Sequence, residues 1–151
     1  MSDNTTLSLQ SVSDLIALFS DPDKQKRADA VQELSLCGAL SVLPLCDELK
    51  NPDWKIRYRA AEALGLIGSL DQGINSESIS TLKSTLLFSL LSLTEDEKDH
   101  VRYMAAKALV QIGDPRARDA FEKLRHDEHS YTRSMAEQGI VALQENRSIP
   151  R

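Results

Sequence analysis

A short phrase that contains an arginine in a fixed register recurs four times along the chain, and this repetition constrains the fold more than any single residue. The arginines are Arg27, Arg57, Arg102 and Arg133, and they are separated by 30, 45 and 31 residues. The phrases read KRADAVQELSLCG, IRYRAAEALGLIG, VRYMAAKALVQIG and TRSMAEQGIVALQ. A period of this length is typical of solenoids, in which each unit buries its apolar face only against its neighbours.

Each phrase has the spacing of an amphipathic helix. The positions three, four, seven and ten residues after the arginine are apolar or small in the first three units, which places them on one stripe of an α-helix. Glycine follows at position eleven as Gly38, Gly68 and Gly113, and it predicts that each of these helices ends there. We call these four helices the B helices.

A second amphipathic segment, the A helix, precedes each B helix. Ser11 with Asp14 predicts the start of the first A helix, and Asp114 followed by Pro115 predicts the start of the fourth. The sequence therefore predicts an all-α, right-handed α-solenoid of four helix pairs. We expect a single domain, 1–151, with repeats at about 14–38, 41–68, 78–113 and 115–144.

The longest interval, between the second and third arginines, contains extra residues. They fall in an insertion at about 69–83, whose first half is rich in loop-forming residues and whose second half resumes helical spacing. One interpretation is a tolerated surface insertion that lengthens the third A helix. The other is a loop that reaches toward a partner, and the sequence leaves both open.

The phrases NPDWKIRYRAAEALGLIG and EDEKDHVRYMAAKALVQIGDPRA resemble HEAT repeats, specifically the short type also found in phycobilisome lyases. The resemblance implies an armadillo/HEAT-like superhelix and a structural ladder of turn Asp residues and arginines between adjacent repeats. A buried arginine needs carboxylate or carbonyl oxygens for its donors, which supports a structural role. The expected ladder residues are Asp21, Arg27, Asn51, Arg57, Asp96, Arg102, Asp127 and Arg133.

Charge and composition narrow the classes of partner. The formal net charge of -5 argues against a non-specific nucleic-acid binder, because such proteins collect Lys and Arg to neutralise phosphates. No apolar run is long enough to cross a membrane, and the first residues lack a signal-peptide pattern. We therefore expect a cytoplasmic protein that binds neither nucleic acid nor membrane. Cys37 and Cys46 lack the spacing of a zinc site and are expected to pack as free thiols.

The sequence predicts no enzyme, no cofactor and no metal. One HEAT-like enzyme, deoxyhypusine hydroxylase, takes iron ligands from His-Glu pairs just after the repeat arginine, and the resemblance would place such pairs at Tyr58-Arg59 and Tyr103-Met104. Those pairs are absent. His126, Glu128 and His129 cluster in the last A-to-B turn, without a matching set on a facing repeat, and we interpret this cluster as a solvated turn.

The remaining hypothesis is a non-catalytic scaffold or adaptor that binds another protein along the concave face of the B helices. Tyrosines combine apolar area with a polar tip and are common at binding hot spots. The candidate protein-binding residues are Trp54, Tyr58, Arg59, Glu62, Tyr103, Met104, Lys107 and Gln138. The alternative, which the resemblance implies, is a bilin lyase-type or chaperone-like subunit that acts on phycobiliproteins.

Overall fold

The computed structural model describes residues 9–70 and 77–148. The α-helices in these ranges are α1 (Leu9–Ala17), α2 (Lys24–Leu36), α3 (Ala39–Glu48), α4 (Trp54–Leu70), α5 (Glu77–Leu93), α6 (Asp99–Ile112), α7 (Arg118–Leu124) and α8 (Ser130–Ser148). Two 3₁₀ turns, Leu18–Ser20 and Pro115–Ala117, extend α1 and precede α7. No strand occurs within the described residues, and the predicted all-α solenoid is confirmed.

The helices form two layers. The B helices α2, α4, α6 and α8 pack side by side in chain order, and the A helices α1, α3 and α5 do the same. Each A helix also packs against the B helix that follows it. This stacking of successive pairs is the arrangement that a two-helix period requires, because no pair can bury its apolar face alone.

The core lies between the two layers and is built from the periodic stripe of the B helices. Ala60, Ala61 and Leu64 of α4 are fully buried, and so are Ala105 and Leu109 of α6. The paired alanines are small, which lets neighbouring helix backbones approach closely. The repeat arginines lie near the N-terminal ends of these closely packed B helices.

Two of the three predicted glycine helix ends are confirmed. Gly38 and Gly113 follow α2 and α6 with φ values of 56° and 72°, a conformation that favours glycine. The prediction for Gly68 was wrong, because α4 continues to Leu70. A Cβ on Gly68 would lie 2.5 Å from the side chain of Ile112, so glycine there serves helix packing.

Of the two predicted helix starts, that of the fourth A helix is confirmed and that of the first is wrong. Asp114 accepts a hydrogen bond from the Arg116 N–H at 2.8 Å, and Pro115 begins the 3₁₀ turn that leads into α7. Ser11 and Asp14, in contrast, lie inside α1, so they do not form its start. A capping motif is a local sequence pattern, but a helix can begin before it when its apolar side chains pack against the rest of the protein.

The insertion predicted at about 69–83 spans the end of α4 and the first part of α5. Its central residues, 71–76, lie outside the described residues. From Leu82 onward α5 joins the core through Leu86, Leu87 and Leu90. Among the helices described, none combines the length and apolarity needed to cross a membrane.

Candidate functional site

The arginine at the start of α4 is enclosed by acceptors from two adjacent units. Nε and Nη2 of Arg57 donate to Oδ2 and Oδ1 of Asp96 at 2.8 and 3.0 Å. Nη1 donates to the backbone carbonyls of Asn51 and Pro52 at 2.8 and 3.2 Å. Paired parallel hydrogen bonds of this kind are the strongest that an arginine makes with a carboxylate.

The next unit repeats this arrangement. Nε and Nη2 of Arg102 donate to the carboxylate of Asp127 at 2.8 and 3.1 Å. Nη1 donates to the carbonyls of Asp96 and Glu97 at 3.0 and 3.3 Å. Each turn Asp therefore has two partners: its carboxylate accepts from the arginine of the preceding unit, and its carbonyl accepts from the arginine six residues later. We call one arginine with its acceptors a rung.

The two complete rungs lie near the edge of the core. Arg57 is only 8% exposed, and the side chains of Arg57 and Asp96 are each 10% exposed. Burial alone would raise the pKa of Asp127, but hydrogen bonds from Arg102 and the His129 N–H, with the charge of Arg102, bring that pKa below its ordinary 3.8. In turn, the hydrogen bond to Asp127 raises the pKa of Arg102. These two residues therefore stay ionised as a pair.

In the first and last rungs, the arginine donates only to backbone carbonyls of the described residues. Nη1 of Arg27 donates to the carbonyls of Asp21 and Pro22 at 2.7 and 3.0 Å. Nη1 of Arg133 likewise donates to the carbonyls of Asp127 and Glu128 at 2.7 and 3.0 Å. The structure describes no carboxylate on the Nε and Nη2 edge of either guanidinium.

A row of aromatic and imidazole rings crosses the N-terminal ends of the B helices α4, α6 and α8. The ring centroids of Trp54 and His100 lie 5.3 Å apart, and those of His100 and His129 lie 5.8 Å apart. His129 then contacts Tyr103 at 6.4 Å and Tyr131 at 5.7 Å. We call Trp54, His100, His129, Tyr103 and Tyr131 the aromatic row.

Neither histidine of this row was included in the candidate binding surface predicted from the sequence, and the turn that contains His129 was interpreted as solvated. His129 is half-buried, and its Nδ1 lies 2.9 Å from Oγ1 of Thr132, which is fully buried. Nδ1 of His100 lies 2.7 Å from Oδ1 of Asp99. The repeat pattern does not predict this row, because its rings come from different positions relative to the repeat arginine in each unit.

Tyr58 lies beside this row on α4, within a small charged cluster. Nη1 of Arg59 donates to Oε2 of Glu62 at 2.9 Å, and the Arg59 guanidinium lies 5.6 Å from the centre of the Tyr58 ring. Burial is the main cause that raises the pKa of Tyr58, and the charge of Glu62 adds to it. The hydroxyl therefore stays protonated at neutral pH and can donate a hydrogen bond.

Three of the predicted binding residues lie apart from the row. Met104 is 2% exposed and belongs to the core, so its assignment to a binding surface was wrong. Lys107 is half-buried one turn beyond Tyr103 on α6, and Gln138 is exposed on α8. These two extend the same face of the B helices away from the arginines.

The structure describes no group of three or more His, Cys, Asp or Glu side chains that could hold a metal ion. His126 is exposed, and the Glu128 carboxylate lies 3.6 Å from Nη2 of Arg102. Cys37 and Cys46 are half-buried thiols that form no disulfide, and burial raises the pKa of the Cys46 thiol.

Comparison with known proteins agrees with this architecture. A sequence profile of HEAT repeats matches residues 12–87 and 45–141. The fold is similar to that of human deoxyhypusine hydroxylase, with a TM-score of 0.67 and 17% identity over 97% of this chain and 49% of that chain. A designed armadillo repeat protein in complex with the peptide (KR)4 matches with a TM-score of 0.62 and 21% identity, over 89% of this chain and 64% of that one.

A third similar structure is the phycocyanin lyase complex from Nostoc, with a TM-score of 0.50 and 15% identity over 87% of this chain and 98% of that chain. At these identities the likeness concerns the fold alone. This chain spans about half the length of deoxyhypusine hydroxylase and under two thirds of the designed repeat protein. Since the repeat profile covers well over half of the sequence, the chain belongs to the HEAT-repeat family.

Proposed function

We propose that the protein is a non-catalytic scaffold or adaptor that binds another protein along the exposed face of its B helices. The observation that carries this proposal is the aromatic row, which joins three successive units at their N-terminal ends. Tyr131 is 70% exposed, and Tyr58 and Tyr103 are half-buried. Rings that are fixed by neighbours yet reach solvent bind a partner with little loss of side-chain freedom.

Polar groups beside the rings give this surface a mixed charge. Nζ of Lys98 lies 4.7 Å from the centre of the Trp54 ring, and the Arg59–Glu62 pair flanks Tyr58. Lys107 and Gln138 continue the surface along α6 and α8. A ring surface surrounded by both signs of charge is typical of a protein interface, whose centre is aromatic and whose rim is polar.

The test compares two double variants of the tagged protein. Tyr58→Ala with Tyr103→Ala removes two rings from the proposed surface, whereas Leu43→Ala with Phe88→Ala removes two exposed apolar side chains from the A helices α3 and α5. Partners captured from the native cell are identified by mass spectrometry. We expect a specific partner to be lost with the tyrosine variant and retained with the control, while helicity remains unchanged in both.

The opposite results would reject the proposal. If the tyrosine variant unfolds, both rings belong to the core and form no recognition surface. If the same partner is captured equally by both variants, binding uses a different face.

A second candidate function is that of a lyase-type or chaperone-like subunit that handles a bilin on an antenna protein. The observation in its favour is that the alignment covers nearly all of one chain of the phycocyanin lyase complex, so this solenoid is similar in size to a single subunit of that complex. Mixing the protein with phycocyanobilin and an apo-phycocyanin subunit tests it. Covalent transfer would favour this candidate, and unchanged absorbance would reject it.

A further inference from the structure

The first rung of the ladder is open at the edge where the second and third are closed. Arg57 and Arg102 each use Nε and Nη2 to bind an Asp carboxylate from the following unit. Arg27 uses only Nη1, for two backbone carbonyls. Within the described parts of the chain, its Nε and Nη2 have no acceptor.

The edge of Arg27 lacks a carboxylate because one residue of the repeat differs. Asn51 occupies the turn position at which the next two units have Asp96 and Asp127. Its Oδ1 accepts the N–H of Asp53 at 2.9 Å, and its Nδ2 donates to Oε2 of Glu48 at 3.0 Å. Asp96 and Asp127 accept the same turn bond, so what sets Asn51 apart is its bond to Glu48 and its lack of a negative charge with which to pair the guanidinium.

Arg27, whose Nε and Nη2 edge is unpaired within residues 9–70 and 77–148, lines a groove of about 480 Å³ between the first and second units. Trp54 and Tyr58 supply apolar walls, Lys55 adds positive charge, and the charge of Arg59 is paired with Glu62. Asp21 and Asp53 also line it, but among the described residues neither carboxylate forms an ion pair or hydrogen bond with Arg27. The groove thus combines a free guanidinium edge with aromatic surface.

We propose that this groove binds an acidic segment of a partner protein, with one Asp or Glu carboxylate on Nε and Nη2 of Arg27. The complete rungs supply the precedent, because the same edge of the same repeated arginine already holds a carboxylate twice in this molecule. An apolar residue next to that carboxylate packs on Trp54 and Tyr58. This inference rests on the proposed scaffold function and names the chemistry of its ligand.

The charge of the groove favours a carboxylate over a phosphate group. Asp21 and Asp53 offset much of the positive charge of Lys55 and Arg27, and Glu62 pairs with Arg59, so the groove suits a single negative charge better than a double one. The bound carboxylate would replace the hydration of Arg27 with two charge-assisted hydrogen bonds. Salt would weaken the complex, since the groove is open to solvent.

The experiment measures binding of a fluorescein-labelled peptide in which Glu and Leu are separated by Gly, and of its counterpart with Gln in place of Glu. We expect the Glu peptide to bind at least about tenfold more tightly, a difference of about 1.4 kcal/mol. Equal affinity for the two peptides would overturn the proposal, and so would tighter binding of a phosphoserine version.

Two variants of the full chain locate the site. Asn51→Asp places a carboxylate where the complete rungs have one, and we expect it to occupy the Arg27 edge and weaken Glu-peptide binding at least fivefold. Asn146→Asp makes the same charge change on an exposed part of α8 and should leave binding within twofold. Arg27→Gln, checked for intact helicity, should abolish the preference for Glu over Gln. An unchanged preference in Arg27→Gln would overturn the assignment.

A spectroscopic readout separates this inference from the scaffold proposal. In ¹⁵N NMR spectra, the Nε–H signal of Arg27 should shift when the Glu peptide is added, while that of Arg57 stays in place. If partners captured from cells depend on Tyr58 and Tyr103 but not on Asn51→Asp, the scaffold function survives and the carboxylate site is rejected. If neither change affects capture, the scaffold proposal itself fails.

Discussion

The contact between α2 and α4 differs from the contact between α4 and α6, although both join consecutive B helices of one repeat family. At one end of the contact between α4 and α6, the guanidinium of Arg57 is paired with the carboxylate of Asp96, and further along Gly65 packs against Ala108. Between α2 and α4, Arg27 has no carboxylate, and serine occupies the position equivalent to Gly65. The contact between α2 and α4 therefore leaves a groove beside its arginine, at the end where Asp96 closes the other contact.

The difference shows that a repeated residue has no fixed role. An arginine in this register is structural when the following unit supplies an Asp, and it is available to a ligand when that unit supplies an Asn. An amide in place of a carboxylate leaves the Nε and Nη2 edge of the arginine without the ion pair of the complete rungs and open to a ligand.

The largest expected difference is in the cost of removing each arginine. Arg57→Ala should lower the free energy of unfolding by about 2–4 kcal/mol, because Asp96 and two carbonyls lose their partner in a buried place. Arg27→Ala should cost less than about 1 kcal/mol, since its edge is hydrated and only carbonyl bonds are lost. Urea unfolding followed by circular dichroism measures both, and equal losses would remove the distinction between the rungs.

A smaller effect is expected from the packing between B helices. A Cβ on Gly65 would lie 2.8 Å from Cα of Ala108, so Gly65→Ala should force α4 and α6 apart and cost about 1–3 kcal/mol. Ser35→Ala at the equivalent place on α2 removes only a local bond to the Gln32 carbonyl and should stay within about 0.5 kcal/mol. Thermal melting compares the two, and a tolerated Gly65→Ala would show that the contact is not close.

The complete third rung should also make stability depend on pH. Because the folded-state pKa of Asp127 is lowered, the unfolded chain takes up the proton first as the pH falls through about 3.8. Stability is therefore fully present above that pH and is lost as the pH falls toward the lower folded value. Asp127→Asn should flatten this acid dependence, although the lowered pKa values of Asp99 and Asp114 leave part of it.

Urea unfolding at pH 6, 4 and 3 measures the slope for each protein. Asp127→Asn should be the less stable protein at pH 6, and the gap should narrow as the pH falls. A gap that is constant over this range would mean that the ionised carboxylate contributes nothing through Arg102.

The smallest expected change in stability comes from a variant that supplies Arg27 with a carboxylate. Asn51→Asp gains a partly exposed ion pair with Arg27 but loses the hydrogen bond to Glu48 and places two carboxylates close together. We expect a net change within about 1 kcal/mol of zero. Adding Glu48→Gln should make the variant more stable than Asn51→Asp alone, and a further loss instead would show that the new carboxylate does not close the rung.

The repeat period predicted the parts of the molecule that recur. The stripe at Ala60, Ala61 and Leu64 faces the core because helical spacing and burial are tied together in every unit. For the same reason the ladder was predicted correctly at Asp96 and Asp127, whose carboxylates bind arginines, whereas Asp21 and Asn51 contribute only their backbone carbonyls. Gly68 was misjudged as a helix end, because its close approach to Ile112 is a tertiary contact that no local signal reports.

The binding surface could be predicted only in part. Met104 and Arg59 occupy the same position after their arginines, at the border of the apolar stripe, where residue type decides the outcome. The methionine packs into the core, whereas the guanidinium of Arg59 pairs with Glu62 beside Tyr58.

Trp54 and Tyr103 of the aromatic row were predicted as binding residues, but its other members, His100, His129 and Tyr131, were missed for a related reason. Trp54, His100 and His129 stand three, two and four residues before their arginines, so no period connects them.

The most direct test of the ladder is a pair of double-mutant cycles on the free energy of unfolding, one for Arg57 with Asp96 and one for Arg27 with Asn51, each using alanine. The structure predicts a coupling of at least about 1.5 kcal/mol for the first pair and less than about 0.5 kcal/mol for the second. Couplings of the same size in both cycles would contradict the claim that one residue of the following unit decides whether the repeated arginine is structural or free.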